Sequence, residues 1–219
     1  LVIDRSRISQ INRVLESKYA GDQLVRDLGQ TSNHVIKVIN ELQQDIMQVR
    51  MVPIGTLFNS FPWLVRDLAQ KEGKKVEFTM DGLETELDRN IIEQIRDPLI
   101  HLLRNAVDHG VETPEQRVGS GKPPVALIRL SAFQEGGHVV IAIEDDGKGI
   151  DVEAVKRTAV RKGLLSPEDS SRLSTTDAVN LIFMPGFSTL EKATDVSGRG
   201  VGLDVVKTNI EKLSGSVVT

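Results

Sequence analysis

Three segments of the sequence carry residue types suited to phosphate and nucleotide chemistry. The first is His101-Leu102-Leu103-Arg104-Asn105-Ala106-Val107-Asp108-His109-Gly110. On an α-helix, His101, Asn105, Asp108 and His109 fall at i, i+4, i+7 and i+8, so they share one face. Leu99, Leu102, Leu103 and Ala106 cover the other side. Taken alone, that stripe reads most simply as the solvated face of an amphipathic helix. The second segment is Glu144-Asp145-Asp146-Gly147-Lys148-Gly149-Ile150, directly after an apolar run. An aspartate at a strand end followed by alternating glycines puts a carboxylate beside backbone that a flat ligand can approach closely. A calcium loop is the competing reading and fails. Its twelfth position, counted from Asp145, requires a bidentate glutamate, and Lys156 stands there. The third segment is Gly198-Arg199-Gly200-Val201-Gly202-Leu203-Asp204, immediately before a predicted helix. Glycines leading into a helix start expose free amides at its positive end, which suits phosphate.

Two other nucleotide motifs are excluded. Neither glycine cluster gives Gly-x-Gly-x-x-Gly after a strand. Gly119-Ser120-Gly121-Lys122 is a poor P-loop, because Gln116 replaces its first glycine and Pro123 stands where Ser or Thr must bind magnesium. That stretch reads as a plain loop.

Composition narrows the classes further. The chain has 219 residues, a net charge of −4 and no basic stripe, so nothing favours nucleic acid. It contains no cysteine, which removes disulfides, thiolate catalysis and cysteine-ligated zinc together. No apolar run approaches the ~18 residues that suggest a membrane span, and no signal peptide is visible. A cytoplasmic protein is expected.

The elements that must position these residues follow from periodicity. In the first fifty residues Leu28, Val35, Leu42 and Val49 recur every seven, with Ser32, Ile39 and Ile46 between them, an a/d seam. Leu1, Ile8, Ile11 and Leu15 mark a shorter first helix, and Gly21-Asp22 suits the turn between the two. Two helices bury too little surface to stand alone, so a four-helix bundle of two copies is expected over packing on the downstream residues. Met51-Val52-Pro53-Ile54-Gly55 ends the helical pattern and reads as a hinge. Beyond it, Phe58, Phe61, Val65 and Leu68 line a helix with Pro62 in its first turn. Lys74 to Met80 alternates like a strand. A helix starts near Asp88, and Asp97-Pro98 opens another that Gly110 closes. Val125 to Phe133 and His138 to Asp145 form a hairpin through Gly136-Gly137. Short helices and loops follow to Phe187, a last helix follows Gly202, and Ser216 to Thr219 begins another strand. The fold class is α+β: a helical hairpin followed by an α/β sandwich with a mixed sheet.

In this order the three segments resemble the N, G1 and G2 boxes of the ATPase superfamily that includes gyrase, heat-shock chaperones, histidine kinases and MutL. Pro185-Gly186-Phe187-Ser188-Thr189 resembles the kinase F box. With Met51 to Ile54 and His101 to Gly110, the text is similar to CheA-type chemotaxis histidine kinases over almost the whole chain. The resemblance implies residues 1–50 as dimerisation hairpin, 51–55 as hinge and 56–219 as ATP-binding kinase domain, its C-terminal strands missing. It implies Asp145 as acceptor of the adenine amino group, with Gly147 and Gly149 letting the backbone close on the nucleotide. It also implies Asn105 and His109 at a magnesium ion, and Gly198, Gly200 and Gly202 around the phosphates. Residues from roughly Phe183 to Gly198 would form a lid. Arg104 and Asp108 join the ATP-binding set. His101 is the candidate base for the nucleophile, or else only hydrogen-bonds within the site. The implied reaction transfers the γ-phosphoryl group of ATP to a histidine on a separate domain. Implied partners are a second copy, that phosphoacceptor domain, the CheW adaptor, chemoreceptors and response regulators. A clamp-type ATPase of the same superfamily and a non-catalytic dimeric scaffold are the alternatives.

Overall fold

The computed structural model describes residues 2–19, 21–187 and 202–219, and the side chains of these except at 2–6, 16 and 43–49. The chain divides into two compact units, Leu1–Met51 and Val52–Thr219.

The first unit is a hairpin of α1 (Val2–Lys18) and α2 (Gln23–Arg50) packed on each other. Gly21, at φ +103°, makes the turn, and the Asp22 carboxylate accepts the Leu24 N–H at 2.8 Å as α2 begins. The expected seam divides in two. Val25, Gly29, Ser32, Ile36 and Ile39, spaced four and three apart, are the more buried positions of α2. Leu28 and Leu42 remain 49% and 54% exposed, and Val35, Ile11 and Val14 are exposed with them. The hairpin therefore buries one stripe internally and leaves a second apolar stripe uncovered. Ile46 and Val49 of the expected seam lie outside the described side chains, and Leu1 outside the described residues.

The boundary falls within β1 (Met51–Pro53), and the second unit continues with α3 (Gly55–Phe58) and α4 (Phe61–Lys71), which carries Pro62 in its first turn. The segment expected as a hinge is strand and helix start here. Ile54 is fully buried, and the Ile54 and Gly55 N–H groups donate to Thr85 and Leu83. The strands β2 (Val76–Asp81), β4 (Ala126–Glu135) and β5 (His138–Asp145) form a mixed sheet in that order, β2 parallel and β5 antiparallel to β4. The short β3 (Glu86–Asp88) pairs with β1. Gly136 and Gly137, both at positive φ, form the two-residue hairpin loop that pairs Glu135 with His138.

Alternation decides which sheet face meets the helices. Ala126, Ile128, Leu130 and Ala132 of β4 are buried, and Val139, Ile141 and Ile143 of β5 pack against the same core. α5 (Arg89–Asn105) supplies Ile92, Ile95, Leu99 and Leu103 to that core from the helix layer. One helix stands where the sequence suggested two. Asp88 is its N-cap, accepting the Asn90 N–H at 2.8 Å, and the buried Pro98 lies inside it. Losing one N–H is offset because the ring is buried in the core, and Asp97 caps nothing there. α6 (Pro114–Gly119) follows, then α7 (Val152–Arg161), α8 (Pro167–Arg172), α9 (Thr175–Asn180) and a 3-10 turn at Leu181–Phe183. Val155, Ala159, Leu181 and Phe187 form a second small core. α10 (Leu203–Lys212) packs on α5. Ser216 to Thr219, expected to begin a strand, joins no ladder among the described residues.

Candidate nucleotide-binding site

The site is assembled where α5 ends beside the end of β5. Asp145 continues the inward face of β5, since it pairs with the buried Ile128 in register. It is the polar residue closing an otherwise apolar alternation, Val139, Ile141, Ile143, so its carboxylate faces the helix layer. What it meets there is the end of the first motif, which does not stay α-helical. Ala106–Gly110 forms a π turn, closed by a hydrogen bond from the Val111 N–H to the Ala106 carbonyl at 2.9 Å. Such turns concentrate at functional sites.

The π turn revises the expected polar stripe. His101 and Asn105 keep the α-helical i, i+4 relation, but the wider turn rotates Asp108 and His109 away from their α-helical places. It also carries Gly110 against Asp145. A Cβ on Gly110 would stand 2.9 Å from the Asp145 Oδ1, and one on Gly147 would stand 2.2 Å from the Gly110 carbonyl oxygen. The Lys148 N–H donates to that same carbonyl at 3.0 Å, and the Gly147 N–H donates to Asp145 Oδ1 at 3.0 Å. Glycine is required at Gly147 by this backbone approach, while Gly149 turns the loop at φ +70°. Among the described residues the second oxygen of Asp145 accepts no hydrogen bond, so it is open to a ligand donor.

Electrostatics ties α5 to α10. Burial, with Arg104 and His109 nearby, pushes the His101 imidazole below its ordinary 6.5, against the opposing pull of Asp108 and Asp204. Asp204 lies in the first turn of α10, whose start at Gly202 has no side-chain cap. Burial and Glu72 push the Asp108 carboxyl above 3.8 despite His109, Arg104 and Lys74. The Arg104 Nε is a buried donor without a partner among the described residues. Gly198 and Gly200, expected around the phosphates, lie outside the described residues, as do Ser188, Thr189 and most of the expected lid.

Several residues that shape the site were not read from the sequence. Lys74 Nζ donates to the Val107 and Asp108 carbonyls, both at 2.8 Å, satisfying the end of the π turn. The stretch read as a plain loop follows a short helix with a capping box between Thr113 and Gln116, a pattern visible in the sequence. That helix carries Arg117, and with Glu112 and Lys122 it grips the loop at Asp146 and Gly147.

Residues 94–219, more than half of the chain, match the family model described as histidine kinase-, DNA gyrase B- and HSP90-like ATPase. The chain belongs to this ATPase family. Residues 1–49 match the model of the homodimeric domain of signal-transducing histidine kinases. The sensor histidine kinase CheAY of Helicobacter pylori is 47% identical over 217 residues, 99% of this chain and 27% of that protein. The chemotaxis proteins CheA of Bacillus subtilis and Salmonella typhimurium are 43% and 46% identical over 99% of this chain. The chain spans about a third or less of the length of these relatives, 27% to 31%. The expected resemblance and the α+β class of hairpin plus ATPase domain are borne out.

Membership of this ATPase family implies ATP as the ligand, and the residues present fit it. An open carboxylate oxygen, glycines packed closely against it, an unpartnered buried guanidinium donor and an uncapped helix start suit adenine at one end and phosphates at the other. Among the described residues no group of three His, Asp or Glu side chains could cage a metal. A magnesium ion here would take most of its oxygens from phosphate and water, as that ion prefers. No helix among the described residues is long and apolar enough to cross a membrane.

Proposed function

We propose that this chain is the ATP-binding catalytic core of a CheA-type chemotaxis histidine kinase, transferring the ATP γ-phosphoryl group to a histidine on a separate domain. The observation that carries the reading is the meeting of Asp145, Gly147 and Gly110 at the end of an α5 that bears His101 and Asn105. Asp145 accepts the adenine amino group. Asn105 and His109 are the residues that would hold magnesium, which when bound neutralises the phosphate charge that phosphoryl transfer must move. Gly202, with Gly198 and Gly200, offers amides to the phosphates, and Arg104 and Asp108 border them. His101 is neutral near pH 7 because its pKa is lowered, so it can accept a proton from the acceptor imidazole or orient it. The rest of the catalysis is positioning, which fits a site made of amides, glycines and one metal.

Residues 1–50 form the dimerisation hairpin in this reading. The uncovered stripe of Leu28, Val35 and Leu42 supports that role, since it needs a partner face. Residues 56–219 are the kinase domain, with 51–55 as the connection. The phosphoacceptor domain, the CheW adaptor, chemoreceptors and response regulators are its proposed partners, in the cytoplasm. Calorimetric titration of ATP with and without magnesium tests the reading. Asp145→Ala is expected to lose ~1.5–3 kcal/mol, about ten- to a hundred-fold in affinity. Asn105→Ala is expected to abolish the magnesium dependence. Unchanged affinity in the first variant removes the adenine assignment, and retained magnesium dependence in the second removes the metal assignment.

A further inference from the structure

We propose that Arg117, assisted by Lys122, is a positioning residue for adenine recognition, holding through Asp146 the loop on which Asp145 meets the base. The inference rests on the ATP-site reading above. Arg117 is 0% exposed, and its fork is spent on four bonds. Nε donates to the Pro123 carbonyl at 2.7 Å. Nη1 donates to Glu112 Oε2 at 3.3 Å and to the Asp146 carbonyl at 3.2 Å. Nη2 donates to Asp146 Oδ2 at 2.7 Å. Lys122 Nζ donates to the Asp146 and Gly147 carbonyls at 3.1 and 2.7 Å, and to Glu112 Oε1 at 2.9 Å.

Burying a guanidinium is costly unless its donors are bonded, as four of the five are here, and a helix that needed only packing would place an apolar chain here. Two of the four bonds instead go to Asp146, and the other two tie the fork to Pro123 and Glu112. The remaining Asp146 oxygen, Oδ1, accepts the Leu127 N–H at 2.9 Å, so each oxygen of this carboxylate is already bonded, one to β4 and one to α6. Burial raises the Asp146 carboxyl, but its bond to Arg117 and the Leu127 N–H outweigh that and hold it below its ordinary value. The two neighbouring aspartates thus divide the work. Asp146 anchors the loop, and Asp145, bonded only to the Gly147 N–H within the loop, is presented to the ligand. Arg suits the anchoring role better than Lys because its planar fork fixes direction as well as charge.

The test uses adenine discrimination, which a purely structural role leaves unchanged. ATP and ITP, whose base has an oxygen in place of the amino group, are titrated into wild type, Asp145→Ala, Arg117→Lys and Lys122→Met. Circular dichroism and thermal melts report folding. Wild type is expected to prefer ATP by about tenfold or more, and Asp145→Ala to bring the ratio near one. Arg117→Lys and Lys122→Met are expected to lower the ratio several-fold in folded protein. A ratio unaffected by Asp145→Ala removes the adenine reading and this proposal with it. A ratio lost in Asp145→Ala but kept in folded Arg117→Lys overturns the positioning role alone. If Arg117→Lys does not fold, Lys122→Met decides by the same criterion.

Discussion

Gly147 lies so close to Gly110 that a Cβ on it would stand 2.2 Å from the Gly110 carbonyl oxygen and 2.7 Å from Asp145 Oδ1. The first is a backbone atom and cannot yield, and the second is a side-chain oxygen that accepts the Gly147 N–H itself at 3.0 Å. Gly147→Ala is therefore expected to displace the loop, costing ~1–3 kcal/mol of stability as overpacking does. Its larger effect is on binding, an expected loss of about tenfold or more in ATP affinity, because Asp145 moves with the loop. Titration and a urea melt on the same sample check both. Wild-type affinity in the alanine variant would count against the loop as the place where the base is held.

Lys74 lies outside the three motifs, yet its Nζ serves the two carbonyls that end the π turn. Those oxygens have no partner farther along the helix. Lys74→Met keeps the stem and removes the donors, so two part-buried acceptors lose their bonds, at ~1–3 kcal/mol. Urea denaturation checks the magnitude. Hydrogen exchange at the Val111 N–H, which closes the π turn, should accelerate in the variant. Exchange unchanged there would mean the turn holds without Lys74.

Asp108, at the same turn, has its carboxyl raised above 3.8 by burial and by Glu72. The native chain holds this proton to higher pH than the unfolded chain does, so stability rises toward acid from this group. Its contribution is full below 3.8 and is lost as pH rises through the folded value. Asp108→Asn removes that loss. The variant is expected to melt higher than wild type at neutral pH, with the gap closing toward acid. Melting curves across that range check the sign, and a constant gap would exclude the titration as its cause.

Much of this was legible before the structure, and the exceptions have physical causes. The Gly136-Gly137 hairpin and the alternation of β4 and β5 were readable because period two is strict and the turn chemistry is specific. The position of Pro98 was misleading, because proline and a preceding aspartate suit a helix start, while burial against the sheet kept α5 continuous. The π turn left no mark, since widening by one residue changes no composition. It altered the one-face reading of Asp108 and His109 but left that of His101 and Asn105. Arg117 and Lys122 were invisible for another reason. Their loop partners are 24 to 29 residues away in sequence, and a buried cation looks like any surface charge until the loop it grips is in place.

His101 offers a case in which pH separates two roles. Its pKa lies below 6.5, so on acidification the unfolded chain takes up the proton first. The stability this residue contributes is present above 6.5 and is lost as pH falls through that value toward the folded one. His101→Gln, which does not titrate, is expected to flatten the stability profile in that window. As a base, His101 would make phosphotransfer to an added histidine domain rise with pH through its lowered pKa and level off above it, and His101→Gln would lower the plateau ~10²–10⁴-fold with ATP affinity retained. As a hydrogen-bonding residue alone, it would leave a smaller loss and an unchanged profile shape. Single-turnover rates across the same window, measured with ATP saturating, distinguish the two outcomes.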